Sequence, residues 1–162
     1  MEKLELTQRP VAKAEMLIGK PIKEVFEAII NPEITSKFWF TKGSGRLEAG
    51  KEVTWKWEMY NISIQVRVLE IEENKRILMD WGAYGGATKV EWLFTPYRDD
   101  STFVSVTNSG FSGDGDTVVN SALDSTGGFT LVLAGLKSWL EHGIQLNLVA
   151  DRFPKDLRKH EK

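Results

Sequence analysis

The chain has 162 residues, 41% hydrophobic and 27% charged, a balance that suits one soluble globular domain with a core of its own. Its formal net charge of −2 offers no basic surface for nucleic acid or anionic lipid. It holds no cysteine, which excludes disulfides, thiol catalysis and most structural zinc sites.

In chain order, Met1-Glu2-Lys3-Leu4-Glu5-Leu6 lacks the apolar stretch of a secretory signal, and no segment reaches the roughly 20 apolar residues of a membrane span. A cytoplasmic location is therefore expected, with a single domain over 1–162 and its core over about 11–150. Residues 11–18 alternate and predict a strand with Ala12, Ala14, Met16 and Ile18 on one face. Pro21 suits the first position of a helix, where its missing N–H costs nothing; Ile22, Val25, Phe26, Ile29 and Ile30 supply that helix's buried stripe. Asn31-Pro32 ends it and opens a second, short helix to about Lys37.

Phe38-Trp39-Phe40 follows. Consecutive helical residues point about 100° apart, so three helical aromatics do not share one core. Two readings stand open: one of them is exposed, covers a pocket entrance or meets a partner, or the helix has ended by Phe38 and the segment folds back extended.

Gly43-Ser44-Gly45 and Gly50 mark a loop or short strand, and beyond them the period becomes two. Residues 52–59, 62–71, 76–81, 88–96 and 102–110 predict five strands. The links Tyr60-Asn61, Glu73-Asn74-Lys75 and Arg98-Asp99-Asp100 are short, which implies antiparallel pairing, and 82–86 is a longer bend. Within 62–71 the apolar positions pass from Ile62, Ile64, Val66 and Val68 to Leu69 and Ile71, predicting a bulge near Val68 that bends the sheet. Alternation sends Trp55, Trp57, Trp81 and Trp92 to one face and Glu52, Glu58, Asp80 and Glu91 to the other. Thr88 and Asn108 are the polar residues that share the apolar side.

After a loop over 110–115, a turn or two over 117–123 is expected before Asp124-Ser125-Thr126, whose side chains suit the N-cap of the main helix. Phe129, Val132, Leu133, Leu136, Trp139 and Leu140 form its apolar stripe, and Gly143 suits its C-cap. Residues 144–149 either extend that helix or pack as a tail, and the five Lys/Arg and three acids of 151–162 read as a solvated end. The order of elements gives an α+β helix-grip fold. A curved antiparallel sheet of about six or seven strands wraps around a long C-terminal helix, with two short helices after the first strand.

Residues with catalytic reach are scarce. His142 and His160 are the two histidines, neither beside partners for a triad or a metal site. Gly110-Phe111-Ser112-Gly113 is not a nucleophile elbow, Gly43-Ser44-Gly45 lacks phosphate-loop spacing, and Asp114-Gly115-Asp116 lacks the downstream glutamate of a calcium loop. No catalytic residue, metal or cofactor is expected. The aromatic face itself has two readings, a solid core or a hollow for a flat apolar or aromatic guest. On the second, the ligand-binding residues are Phe38, Trp39, Trp55, Trp57, Met59, Met79, Trp81, Thr88, Trp92, Phe94, Asn108, Phe129, Leu133 and Leu136, with a hydroxyl of Tyr60, Tyr84 or Tyr97 at the mouth.

Ser125-Thr126-Gly127-Gly128-Phe129, followed by Leu136-Lys137-Ser138-Trp139-Leu140-Glu141-His142-Gly143, resembles the closing helix of heat-shock-protein-90 ATPase activator homologues of the START-like (SRPBCC) superfamily. Pro21-Ile22-Lys23-Glu24-Val25-Phe26, Asn31-Pro32-Glu33 and Lys37-Phe38-Trp39-Phe40 are similar to the same family's opening, and the bacterial single-domain members are most alike. The resemblance implies a cavity between the long helix and the sheet. In the superfamily such cavities take lipids, sterols, polyketides or flavonoid-like aromatics, and some branches are cyclases or hydratases. The eukaryotic activator stimulates its chaperone with an additional N-terminal domain, for which this length leaves no room. A small-ligand-binding protein is thus the leading expectation, ahead of a chaperone regulator or interaction module and of a cyclase or hydratase.

Overall fold

The period-two alternation of the central segments closes into one sheet in the computed structural model, which describes residues 2–82 and 87–158. The strands are β1 (Ala12–Ile18), β2 (Lys42–Gly43), β3 (Glu52–Trp57), β4 (Ile62–Glu72), β5 (Arg76–Trp81), β6 (Thr88–Tyr97) and β7 (Ser101–Ser109). Their order is β1-β7-β6-β5-β4-β3-β2, and every pair of neighbours is antiparallel. Register carries the apolar parity across strands: Val68, Met79, Val90, Asn108 and Ala12 lie side by side from β4 to β1. The expected bulge is present, with the β4–β5 register shifting between Val68 and Glu70.

Helices α1 (Ile22–Ile30) and α2 (Pro32–Thr35) follow β1. Asn31 caps α2 by accepting the Glu33 N–H at 3.0 Å. The expected run of α2 to Lys37 is too long. Buried Thr35 turns its hydroxyl back to the Ala28 carbonyl at 2.7 Å, and the chain leaves the helix in turns. Phe38, Trp39 and Phe40 are then all buried, as the folded-back reading requires. Strand 52–59 is likewise shorter than expected. It ends at Trp57 in a 3-10 turn, Glu58–Tyr60, closed by Asn61 in the left-handed region at φ 53°. Residues 83–86 and 159–162, with the expected bend, Tyr84 and His160, lie outside the described residues.

The long helix α3 (Gly115–His142) is continuous, which corrects the expectation of a break at Asp124-Ser125-Thr126. Asp114 is the actual N-cap, accepting the Thr117 N–H at 2.9 Å. Thr126 donates back to the Ala122 carbonyl at 2.8 Å, so its hydroxyl is satisfied inside the helix without starting a new one. Gly143, at φ 65°, ends α3 and donates to the Trp139 carbonyl at 2.9 Å. The chain then turns back into α4 (Leu148–Arg152) and α5 (Lys155–Arg158), so 144–149 does not extend the helix; Val149 packs on the core, whereas Ile144 and Leu146 are exposed.

α3 lies chiefly against β1, and against β7 beside it. α1 covers part of the same concave face, where Phe26 meets Phe94 edge-on at 5.1 Å. The side of the face built by β3, β4 and β5 is left to the aromatic segment 38–40 and to the end of the chain.

Candidate ligand cavity

Trp39 enters the concave face from the turn after α2 and becomes the hub of the aromatic core. Its ring centroid is 4.8 Å from that of Trp55, 5.6 Å from Trp81, 5.8 Å from Trp92 and 5.7 Å from Phe129. Trp55 and Trp92 are 1% and 0% exposed, so much of the bowl is filled with indole. Here the solid-core reading holds.

Beside that plug a hollow of about 620 Å³ remains between α3 and the β3–β5 side of the sheet, open to solvent. The sheet side contributes Trp57, Ile62, Ile64, Trp81 and Tyr60, and Trp39 forms the inner wall. Asp124, Ser125, Gly128, Phe129, Leu131 and Val132 of α3 face them, and Val149 and Phe153 close one end. Two features of the sequence leave this space. Gly128 has no side chain, and a Cβ built there meets nothing within 4 Å. Along β4, Ile62 and Ile64 are only half-buried whereas Val66 and Val68 are fully buried, so the bowl opens toward the start of that strand.

Of the fourteen expected ligand-binding residues, Trp39, Trp57, Trp81 and Phe129 line the hollow. Trp55, Met79, Trp92, Phe94, Leu133 and Leu136 lie behind it in the core. Phe38 and Met59 border a separate hollow of about 190 Å³, beside Gly135 and Leu148. Thr88 and Asn108 are buried inward, as parity requires, but their polar atoms bond to protein. Thr88 Oγ1 donates to the Trp81 carbonyl at 3.0 Å. Asn108 Nδ2 donates to Thr88 Oγ1 and to the Lys89 carbonyl, each at 2.9 Å. The Ser125 hydroxyl donates to Asn108 Oδ1 at 2.8 Å and so joins this network to the cavity wall. Tyr60 reaches the wall as expected, and its hydroxyl donates to the Phe153 carbonyl at 2.6 Å, with that of Val149 at 3.2 Å. Tyr97 is 44% exposed at the end of β6, away from it.

Sequence reasoning passed over Ile62, Ile64 and Val132 as lining, although parity and the helical stripe carried them inward. It missed Asp124, Ser125 and Gly128 because that segment looked like a helix start. Val149 and Phe153 return to the cavity by a turn that no local pattern announces. Among the described residues no group of three or more histidines and carboxylates is placed to hold a metal ion, and no helix is long and apolar enough to cross a membrane.

A family model described as "Activator of Hsp90 ATPase homolog 1-like protein" matches residues 20–141. Protein SSP2350 from Staphylococcus saprophyticus superposes with a TM-score of 0.74 at 29% identity, over 85% of this chain and 96% of that one. DynU16, from the dynemicin biosynthetic locus, gives 0.73 at 20% identity over 83% of this chain and 48% of its own. The Aha1 dimer from Colwellia psychrerythraea, solved in solution, gives 0.68 at 17% identity over 83% and 98%. The last two likenesses show the helix-grip fold alone. No curated protein matches the sequence.

Proposed function

Since the chain belongs to the activator of Hsp90 ATPase homolog 1-like family, we propose that it is a binding protein for a flat apolar or aromatic small molecule, lipid-like, polyketide-like or flavonoid-like, held between α3 and strands β3–β5. The observation that carries this reading is the hollow of about 620 Å³ walled by Trp39, Trp57, Trp81 and Phe129. Its size falls within the roughly 300–1,000 Å³ of ligand pockets, and its apolar walls with few polar groups are what such sites share. Aromatic neighbours offer a flat guest about 0.5–1.5 kcal/mol per ring contact beyond the area buried. Among the described residues, a single carboxylate (Asp124), a phenol and an alcohol make up the polar side chains of the wall apart from the indole N–H groups. Both hydroxyl protons are already bonded to protein, a set suited to orienting a guest more than to moving protons.

The test exploits two adjacent glycines in α3. A Cβ meets nothing at either Gly127 or Gly128, but only Gly128 lines the hollow. Replacing either removes a helix-interior glycine, for which alanine is favoured by about 1 kcal/mol, so folding alone does not separate them. Gly128→Leu is expected to weaken binding of apolar aromatics at least tenfold, read from tryptophan fluorescence, while Gly127→Ala stays within about twofold. If lipids, flavonoids and polyketides leave both the fluorescence and the amide spectrum of the wild type unchanged, the reading is abandoned.

The family match favours a second reading, a regulator of an Hsp90-class chaperone. It requires that adding this protein raises the chaperone's ATP turnover; unchanged turnover across a saturating titration removes it.

A further inference from the structure

We infer that the hollow of about 190 Å³ beside Gly135 is an annex of the cavity that takes an aliphatic chain, so that the guest is a flat ring system bearing one alkyl tail. This rests on reading the larger hollow as a ligand site and adds the shape of what that site holds. The two hollows share walls: Trp39 and Val149 line both, so one layer of side chains divides them. They also follow one another along α3. Gly128 borders the larger and Gly135 the smaller, and a spacing of seven residues puts the two on the same helix face, about 10 Å apart along the axis.

The dividing layer has a fixed half and a movable half. Trp39 is 8% exposed and wedged among the rings of Trp55, Trp81, Trp92 and Phe129. At the smaller hollow α3 rests directly on the turn segment, since a Cβ built at Gly135 lies 3.0 Å from that of Phe38. Val149, by contrast, is half-buried on the short helix α4, and a small shift of that helix opens a passage past it.

The smaller hollow suits a chain better than a guest of its own. At about 190 Å³ it lies below the roughly 300–1,000 Å³ of independent ligand pockets. Phe38, Phe40, Met59, Leu148 and Ala150 give it apolar walls, and the thioether chain of Met59 adapts to a flexible occupant. Its polar lining residues Lys37, Thr41, Gln145 and Asn147 are exposed, so the apolar part is the inner one. Phe38 and Met59, which the larger hollow leaves aside, then touch the guest through its tail.

The probes are ethers of pyrenemethanol with methyl, butyl, hexyl and decyl chains, which keep one head and one oxygen while the chain grows. Binding is read by energy transfer from tryptophan, below the concentration at which pyrene excimer emission appears. Each methylene taken into the annex should tighten binding by up to about fourfold. The hexyl ether is expected to bind the wild type roughly tenfold or more tighter than the methyl ether, with the decyl ether within about twofold of the hexyl. Ala150 lines the smaller hollow and not the larger, so Ala150→Phe should bring the hexyl-to-methyl ratio to within about twofold of one. Met59→Ala widens the same hollow and should carry the gain on to the decyl ether.

A wild-type gain that is absent, or that never levels, overturns the inference. So does a gain that Ala150→Phe leaves in place, or that still stops at the hexyl ether in Met59→Ala. Should Ala150→Phe fail to fold, Met59→Ala decides alone. If Gly128→Leu weakens the methyl ether in any of these cases, the ligand site itself stands. If the methyl ether does not bind the wild type, or Gly128→Leu leaves its binding unaltered, the site and the inference fall together.

Discussion

Asn108 is fully buried and uses both ends of its amide, two donors to Thr88 and Lys89 and one acceptor from Ser125. Parity along β6 and β7 already sends Thr88 and Asn108 to the inner face; that they meet is a matter of register, with Val90 opposite Asn108. Ser125, the third member, comes from a helix whose rotation no strand pattern fixes. Removing the hub strands several buried partners at once, and an unsatisfied buried group costs about 1–3 kcal/mol. Asn108→Leu keeps the side chain's bulk but leaves the Lys89 carbonyl, Thr88 and Ser125 each short of a partner. The expected loss is about 2–4 kcal/mol in urea unfolding, with an unchanged m-value. A loss below about 0.5 kcal/mol would mean that the network is structurally idle. Trp92, by contrast, buries its Nε1 without a partner, so the core already carries one such cost in exchange for packing the indole among Trp39 and Phe129.

At the scale of elements, the two ends of α3 are fixed by different chemistry. Asp114 caps the start, while at the far end Glu141 accepts the Gly19 N–H at 2.8 Å and pairs with Lys137, whose ammonium also donates to the Leu17 carbonyl at 3.2 Å. The end of β1 is thereby tied to the last turn of the helix that lies across it. Burial alone would push the Glu141 carboxyl up, but the Lys137 and Gly19 bonds, with the charges of Lys137 and His142, together outweigh it and hold the group below its ordinary 4.5. A carboxyl depressed in the folded state stabilises it above the unfolded value, and that contribution disappears as pH falls through the folded one. Glu141→Gln should therefore unfold at lower urea than the wild type near pH 7, and the gap should close on acidification below about pH 4.5. A gap that stays constant down to about pH 3 would show that the carboxylate's charge contributes nothing. The extent of α3 was harder to read than its existence. Asp124-Ser125-Thr126 carries the residue types of an N-cap, yet Ser125 turns inward and Thr126 bonds back to Ala122, choices made by tertiary neighbours. Phe38-Trp39-Phe40 was ambiguous for the same reason, since where α2 stops depends on Thr35 reaching the carbonyl of Ala28 in the preceding helix.

Across the whole molecule, what was legible is whatever repeats along the chain. Period-two parity placed five strands and their inner face, the shift after Val68 located the bulge, and short links gave the antiparallel order. The hollow itself was legible only as an expectation that many indoles under one helix pack imperfectly. Its position comes from α3 lying toward β1 and β7, from Trp39 filling the middle, and from a chain end that returns across the opening. That return is held by Tyr60, whose hydroxyl bonds the carbonyls of Val149 and Phe153 on either side of the α4 C-terminus. The residues of α4 are half-buried or exposed, so the segment belongs to the part of the molecule that opens at low cost, whereas β6 and β7 lie inside the sheet with a paired strand on each side. Tyr60→Phe retains the ring in the wall and deletes only the hydroxyl. With about 1 kcal/mol removed from the closed state, amide exchange over 148–153 should quicken roughly fivefold while β6 and β7 exchange as before. A guest entering past this segment should then associate faster, by a similar factor, in stopped-flow mixing with pyrenemethanol. Unaltered exchange at 148–153 would show the tyrosine bond to be ornamental; altered exchange with an unaltered association rate would move the entrance elsewhere on the rim of the bowl.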